Sequence, residues 1–315
     1  MKKYVFGVDI GGTTVKIGFF SADGTLLEKW EIPTRTENGG EQVLPDVAVS
    51  VKEAMARYGV AADQVEGIGI AVPGPVDAEN TVYKCVNLGW GVFNVKERMN
   101  ELLPEIPRVA AGNDANVAAL GELWQGGGQG CRSAVMITLG TGVGGGVVLD
   151  GQIVAGHNGG AGEIGHMTVE PTETEACTCG KYGCLEQYAS ARGIVHMAKG
   201  MLTDCDTPSA LRNMADFTSK EICELAAAGD PMAVAIMERF GEYLGRVMSF
   251  ISCTVDPDVY IIGGGMSRAG SIVTDTVLRY YRKYAFHVST GTGVAIAKLG
   301  NDAGIYGSAK MILNA

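Results

Sequence analysis

The chain has 315 residues, enough for two domains with packed cores. Hydrophobic residues make up 46% and charged residues 19%, and 25 basic against 35 acidic residues leave a net charge of −10, which argues against nucleic acid as a partner because phosphate backbones need basic faces. No apolar run approaches the ~20 residues of a membrane span. Met1-Lys2-Lys3 leads into an apolar strand rather than a signal-peptide core, so a cytoplasmic protein is expected. In a reducing compartment the eight cysteines are not expected to form disulfides. Cys85, Cys131, Cys205, Cys223 and Cys253 are scattered and read as small buried apolar residues. Glycine is the outlier, with 46 residues in short clusters between apolar runs, as many tight turns and close backbone approaches require.

In chain order, residues 4–9 read as a strand, turned by Ile10-Gly11-Gly12-Thr13-Thr14 into a second strand over 15–20. Asp23-Gly24 is a hairpin signal, and 26–32 is a third strand. A helix is predicted over 42–58, a strand over 65–72 ending in Pro73-Gly74-Pro75, a short strand over 108–111, and a helix over 115–124. Residues 134–139 then form a strand, Gly140-Thr141-Gly142-Val143-Gly144 turns it into 145–149, and Asp150-Gly151 turns that into 152–154. The unit of strand, Gly/Thr turn, strand, Asp-Gly turn and strand thus occurs twice, and two similar domains facing one cleft are expected. A helix is predicted over 186–201. Thr218-Ser219-Lys220-Glu221 is a capping box, and Asp230-Pro231 opens a helix with one apolar stripe at Ile236, Phe240, Leu244, Val247 and Ile251. A buried strand at 259–262 ends in Gly263-Gly264-Gly265, and 304–313 is a final helix.

Four stretches carry chemistry. The turn from Asp9 through Gly11, Gly12, Thr13 and Thr14 to Lys16 offers N–H and O–H donors to phosphate oxygens, and Asp9 could hold Mg²⁺ through its waters. A lone Gly-Gly-Thr would be a plain hairpin; its second copy at Thr141-Gly142 favours phosphate. Gly140, Gly142 and Gly145 fit a dinucleotide fingerprint, but a strand follows where that motif needs a helix, and no P-loop occurs. Asn113-Asp114-Ala115-Asn116 lies between strand and helix, where Asp114 could accept the proton of an attacking hydroxyl with Asn113 orienting it, or where Asp114 or Asn116 could cap the helix. Cys177, Cys179 and Cys184, with His166 as fourth ligand, have the composition of a closed structural zinc site, which would fix Glu163 and Glu186 nearby as carboxylates suited to sugar hydroxyls; as exposed loop acids they would carry no function. Asn87-Leu88-Gly89-Trp90 could line a sugar cleft, although a buried tryptophan is the usual case.

Taken together, Asp9–Thr13, Pro73–Pro75, Asn87–Trp90, Asn113–Asn116, Gly140–Gly146, Glu163–His166 and Cys177–Glu186 resemble the ROK family of bacterial sugar kinases and repressors, most of all its glucokinases, over nearly the whole chain. The resemblance implies an α/β, actin/hexokinase-like (ribonuclease H-like) duplicated two-domain fold with an interdomain cleft. The domains are expected at 1–115 with a C-terminal helix at about 302–315, and at 116–301. It implies ATP with Mg²⁺, phosphates on Gly11–Thr14 and Thr141–Gly142, adenosine near Gly264, and Asp114 as general base. It further implies sugar contacts from Asn87, Asn113, Asp114, Glu163, His166 and Glu186, and structural Zn²⁺ on His166, Cys177, Cys179 and Cys184, so that His166 uses one ring nitrogen for metal and one for sugar. A homodimer or homotetramer is usual in the family. Residues 171–176 insert acidic residues before Cys177 and are expected to vary freely. Family repressors carry a DNA-binding segment before the first Gly turn; with that turn at residue 9, a glucose kinase is the expectation, ahead of a sugar sensor or a kinase for N-acetylmannosamine, N-acetylglucosamine, fructose or allose, with polyphosphate as an alternative donor.

Overall fold

The computed structural model describes residues 3–314; Met1, Lys2 and Ala315, which the expected domain ranges include, lie outside the described residues. Strands β1 (Tyr4–Ile10), β2 (Thr14–Ser21) and β3 (Leu26–Pro33) form an antiparallel meander. Next come α1 (Glu37–Gly40), α2 (Val43–Tyr58), β4 (Val65–Val72), a small ribbon of β5 (Thr81–Val82) and β6 (Phe93–Asn94), α3 (Val95–Leu102), β7 (Val109–Asn113) and α4 (Asp114–Gln125). β4 and β7 join β1 in parallel, giving the sheet order β3-β2-β1-β4-β7.

A second sheet is built from β8 (Ala134–Leu139), β9 (Val143–Leu149), β10 (Gln152–Ile153), β11 (Val259–Gly263) and β12 (Gly293–Ile296), in the order β10-β9-β8-β11-β12 with β8, β11 and β12 parallel. The repeat read in the hairpins therefore extends to the crossover strands. The type I′ turn between β9 and β10 has left-handed backbone at both Asp150 (φ 49°) and Gly151 (φ 77°), as the Asp-Gly signal requires. Helices α5 (Glu186–Ala189), α6 (Ala191–Asp204), α7 (Ser219–Ala227), α8 (Pro231–Val255) and α9 (Ser271–Tyr284) precede β12 or flank β11, and α10 (Ala303–Asn314) ends the chain. No helix of the described residues is long and apolar enough to cross a membrane.

Alternation along β1 and β2 divides the first core between the two faces of the sheet: Phe6, Val8, Ile17 and Phe19 pack with Val43, Val47 and Val51 of α2, while Val5 and Phe20 pack with Ile305, Ala309 and Ile312 of α10. Each valine, isoleucine or phenylalanine among them, fully buried, contributes roughly 1.5–3 kcal/mol. α10 also lies on α4 at near backbone contact, since a Cβ on Gly307 would overlap the Val117 carbonyl oxygen.

The chain divides into two units. One holds the described residues through Arg132, Gly146–Gly162 and Lys298 onward; the other holds Ser133–Gly145 and Glu163–Ala297. The break expected at 115/116 thus falls at 132/133, because α4 packs on α10, and the return comes at 298 because the Glu122 carboxylate accepts the Lys298 and Leu299 N–H groups at 2.9 and 2.7 Å. The helix expected over 186–201 is broken at Ser190, whose extended backbone (ψ 165°) ends α5 and whose hydroxyl caps α6 at Gly193 N–H, 2.9 Å. In the second unit the Thr218–Glu221 capping box and the Asp230 cap are formed, and Ile236, Phe240, Leu244, Val247 and Ile251 are buried. Of the five scattered cysteines, Cys85 and Cys223 are buried as expected, but Cys205 and Cys253 are exposed and Cys131 is half-buried; Cys205 ends α6 and Cys253 lies on the outer face of α8.

Candidate functional site

In the first unit the parallel strands end in line: Asp9 of β1 lies opposite Ala71 of β4, and Val72 lies opposite Asn113 of β7. Asp9 and the Asn113-Asp114 pair therefore occupy the carboxyl ends of one sheet, where open α/β sheets hold ligands. Burial pushes the Asp9 carboxyl up to about 6; Lys16, directly opposite on β2, pulls it down, and Asp114 pushes it up again. Lys16 is partly occupied elsewhere, its Nζ donating to the Asn301 carbonyl at 2.9 Å. The carboxylate rests on the first turn of α10, where a Cβ on Gly304 would overlap Asp9 Cγ. A half-buried acid beside a second acid suits a hydrated divalent cation, so the donor chemistry fits Mg²⁺.

The turn after Asp9 is closed by Gly11 N–H on the Thr14 carbonyl, 3.0 Å, and braced by the Thr34 hydroxyl on the Gly11 carbonyl, 2.7 Å. The N–H groups of Gly12 and Thr13 make no hydrogen bond among the described residues, and both residues are exposed. Asn87 stands beside this turn, its Cβ 4.0 Å from the position of a Cβ on Gly12. Trp90, from the same tetrapeptide, packs inward: it is 5% exposed, with its indole N–H on the Gly40 carbonyl at 3.0 Å and its ring edge-on to Phe93, and its remaining exposed edge lines a surface pocket with Gly40, Gly91 and Phe93.

The cap of α4 is neither Asp114 nor Asn116 but Asn113, whose side-chain oxygen accepts the Ala115 and Asn116 N–H groups at 3.0 and 3.2 Å and whose amide donates to the Gly74 carbonyl at 3.2 Å. Asp114 begins the helix, one carboxylate oxygen accepting its neighbour's N–H at 2.8 Å, in the positive end of the helix dipole. Asn116 points the other way, accepting Val147 N–H at 3.1 Å and donating to the Ala161 carbonyl, so it ties β9 to α4.

In the second unit the Gly/Thr turn is closed by Gly140 N–H on the Gly142 carbonyl, 3.0 Å, and anchored by Ala191 N–H on the Gly140 carbonyl and Arg192 Nε on the Thr141 carbonyl. Gly264 (φ 81°) seats its backbone directly on Leu139, where any Cβ would overlap the carbonyl. Beside it a cavity of ≈ 530 Å³ lies between Gly265, Met266, Arg268 and Ala269 on one side and Lys220, Cys223, Glu224 and Ala227 of α7 on the other.

The same unit gathers His166, Cys177, Cys179 and Cys184, whose ligand atoms all lie within 4.8 Å of one another. Cys179 Sγ is 3.7 Å from Cys184 Sγ, and Cys177 Sγ is 3.7 Å from His166 Nδ1. A tetrahedral zinc with its usual bond lengths separates two sulfurs by about 3.8 Å and sulfur from nitrogen by about 3.6 Å, so the donor set fits a closed Cys₃His site. Without metal, burial pushes the Cys184 thiol up to about 12, helped by hydrogen bonds with Cys179 and Cys177. Glu163 is exposed at the start of a short turn, its carbonyl accepting His166 N–H, and Gly165 packs on the Val143 carbonyl.

Glu186 joins three parts of this unit. Its Oε2 accepts Val143 N–H at 3.0 Å, its Oε1 accepts the Thr178 hydroxyl at 2.9 Å, and Gly142 leaves room for it, since a Cβ there would overlap Oε2. Thr178 carried no sequence signal beyond its place between two cysteines. In the acidic stretch 171–176 Glu173 accepts the Tyr188 hydroxyl; just before it Glu170 accepts the Tyr243 hydroxyl at 3.3 Å, and Gln187 bridges the Glu175 carbonyl and Cys184 N–H at 2.9 and 3.0 Å.

Two α/β units of related topology, each offering a Gly/Thr hairpin turn, with acids at the strand ends of the first, define the actin/hexokinase-like class. Within it the chain belongs to the ROK family, whose pattern matches residues 5–315. It is 38% identical to a glucokinase of Halalkalibacterium halodurans, over 98% of this chain and 95% of that protein, and 34% identical to a glucokinase of Thermotoga maritima, over 99% and 98%. Among solved structures it is similar to a ROK family glucokinase from Streptomyces griseus in complex with glucose and AMPPNP, with a TM-score of 0.71 and 32% identity, covering 99% of this chain and 100% of that one.

Proposed function

We propose that the chain transfers the γ-phosphate of ATP to the 6-hydroxyl of glucose. The observation that carries this reading is the placement of Asp9 and Asp114 at the carboxyl ends of strands in one sheet, beside a turn with open N–H groups; the full-length likeness to glucokinases supports the choice of sugar.

Asp114 is the general base. It accepts the proton of the hydroxyl as the oxygen attacks phosphorus, and Asn113, locked as the α4 cap, keeps one amide hydrogen for the same substrate. Gly12, Thr13, Thr141 and Gly142 hold phosphate oxygens through N–H and O–H donors, which stabilise the charge of the transition state. Asp9 would hold Mg²⁺ through its waters, an ion that supplies charge neutralisation to the phosphates. In the second unit Gly264 and the cavity beside it receive adenosine, while Glu163, His166 and Glu186 receive sugar hydroxyls. Zn²⁺ would be held by Cys177, Cys179, Cys184 and His166 Nδ1, leaving His166 Nε2 for a hydroxyl.

A coupled assay of ADP release tests the reading, with Mg-ATP and glucose, N-acetylglucosamine, N-acetylmannosamine, fructose and allose in turn. Turnover on glucose with the highest kcat/KM is expected. A better kcat/KM on another sugar would correct the substrate. Sugar binding without turnover on any of them, with ATP or polyphosphate, would replace the kinase by a sugar sensor.

A further inference from the structure

Glu186 begins a helix of only four residues and is half-exposed, so nothing in its own element fixes its side chain. Outside donors do. Val143 N–H, the first residue after the Gly140–Gly142 turn, bonds Oε2, the Thr178 hydroxyl bonds Oε1, and the Cys177 thiol lies 4.0 Å from Oε1. Hydrogen bonds to an ionised acceptor are about twice as strong as neutral ones, and an ionised carboxylate has about four lone-pair sites, so Oε2 keeps capacity for a ligand. Thr178 itself stands on a stiff base: it is flanked by Cys177 and Cys179, two of the candidate metal ligands, and Cys177 N–H closes the loop on the Lys181 carbonyl at 2.7 Å.

We propose that Thr178 is a positioning residue for sugar recognition: its hydroxyl, with Val143 N–H, mounts the Glu186 carboxylate so that its remaining lone pairs meet a sugar hydroxyl without first losing side-chain freedom. The inference rests on the assignment of Glu186 to the sugar made above. Thr178 does not touch the substrate in this scheme. It acts by holding a ligand-binding acid between the metal loop and the phosphate turn, and so makes the metal loop a determinant of sugar affinity.

The test compares T178V, which removes the hydroxyl and keeps the shape, with T178S, which restores it, and with E186Q. Glucose KM is measured at saturating Mg-ATP, glucose Kd by calorimetry without nucleotide, and zinc content by metal analysis. T178V is expected to raise KM and Kd for glucose by about tenfold, the worth of one charge-assisted hydrogen bond, with kcat within about twofold and zinc retained, while T178S stays within about twofold of the parent protein. Unchanged glucose affinity in T178V alongside weakened affinity in E186Q overturns the role of Thr178 and leaves the sugar contact standing. Unchanged affinity in E186Q overturns the sugar contact itself and the inference with it. Zinc loss in T178V also overturns it, because the effect would then pass through the metal loop as a whole.

Discussion

Replacing Asp9 by asparagine should make the ligand-free protein more stable and the enzyme inactive. Burial holds the folded-state carboxyl at about 6 against 3.8 for the unfolded chain. Because the folded value is the higher, folding favours the protonated acid, and stability from this group falls as pH rises from about 4 to about 6 and is flat above. The cost of the ionised form works out at about 3 kcal/mol at pH 7.5, about half that at pH 5 and less than 1 kcal/mol at pH 4. An amide in place of the carboxyl would carry no such cost, although Lys16 would lose a partner across the β1–β2 ladder and give some of the gain back. Calorimetry of D9N without nucleotide should therefore show a Tm several degrees above the parent at pH 7.5, with the difference shrinking by about half at pH 5. Turnover with Mg-ATP and glucose should fall by at least ~10²-fold, since the acid proposed to hold the hydrated cation is gone. A D9N protein that is less stable at pH 7.5, or whose Tm difference does not change between pH 5 and pH 7.5, would refute the reading of Asp9 as a half-buried, desolvated acid kept for a cation.

Asp114→Asn should lower kcat by at least ~10²-fold with sugar binding largely kept; near-parental turnover would remove Asp114 as the base. Cys179→Ser should release zinc and raise the glucose KM, because the loop that carries Thr178 and Glu186 loses its anchor, and a zinc-free variant with normal KM would contradict this. Gly307→Ala should cost roughly 1–3 kcal/mol as overpacking, read from the urea midpoint, since its Cβ would meet the Val117 carbonyl oxygen where α10 lies on α4; an unchanged midpoint would mean that this helix contact is loose.

The parts of this protein that follow from local chemistry were legible in the amino-acid order. Turns that need glycine or Asp-Gly, caps at Thr218 and Asp230, and the apolar stripe of α8 depend on residues within a few positions of each other. The repeated hairpin, and with it a pair of similar units, could be read for the same reason, and the cysteine spacing pointed to three thiols in one loop. What the sequence left open depends on partners far apart in the chain. Asp114 and Asn116 were equal candidates for the α4 cap until Asn113 was seen to take it, with Gly74 holding its amide. The inward seat of the Trp90 indole was decided by the Gly40 carbonyl, fifty positions earlier. The first unit reaches to Arg132 because α4 needs α10, which lies at the other end of the chain. The acidic stretch 171–176 is tied through Glu173 to Tyr188 of α5, and Glu186 is held by donors eight and forty-three positions away. A carboxylate's neighbours set its charge and direction, and only the folded chain brings those neighbours together.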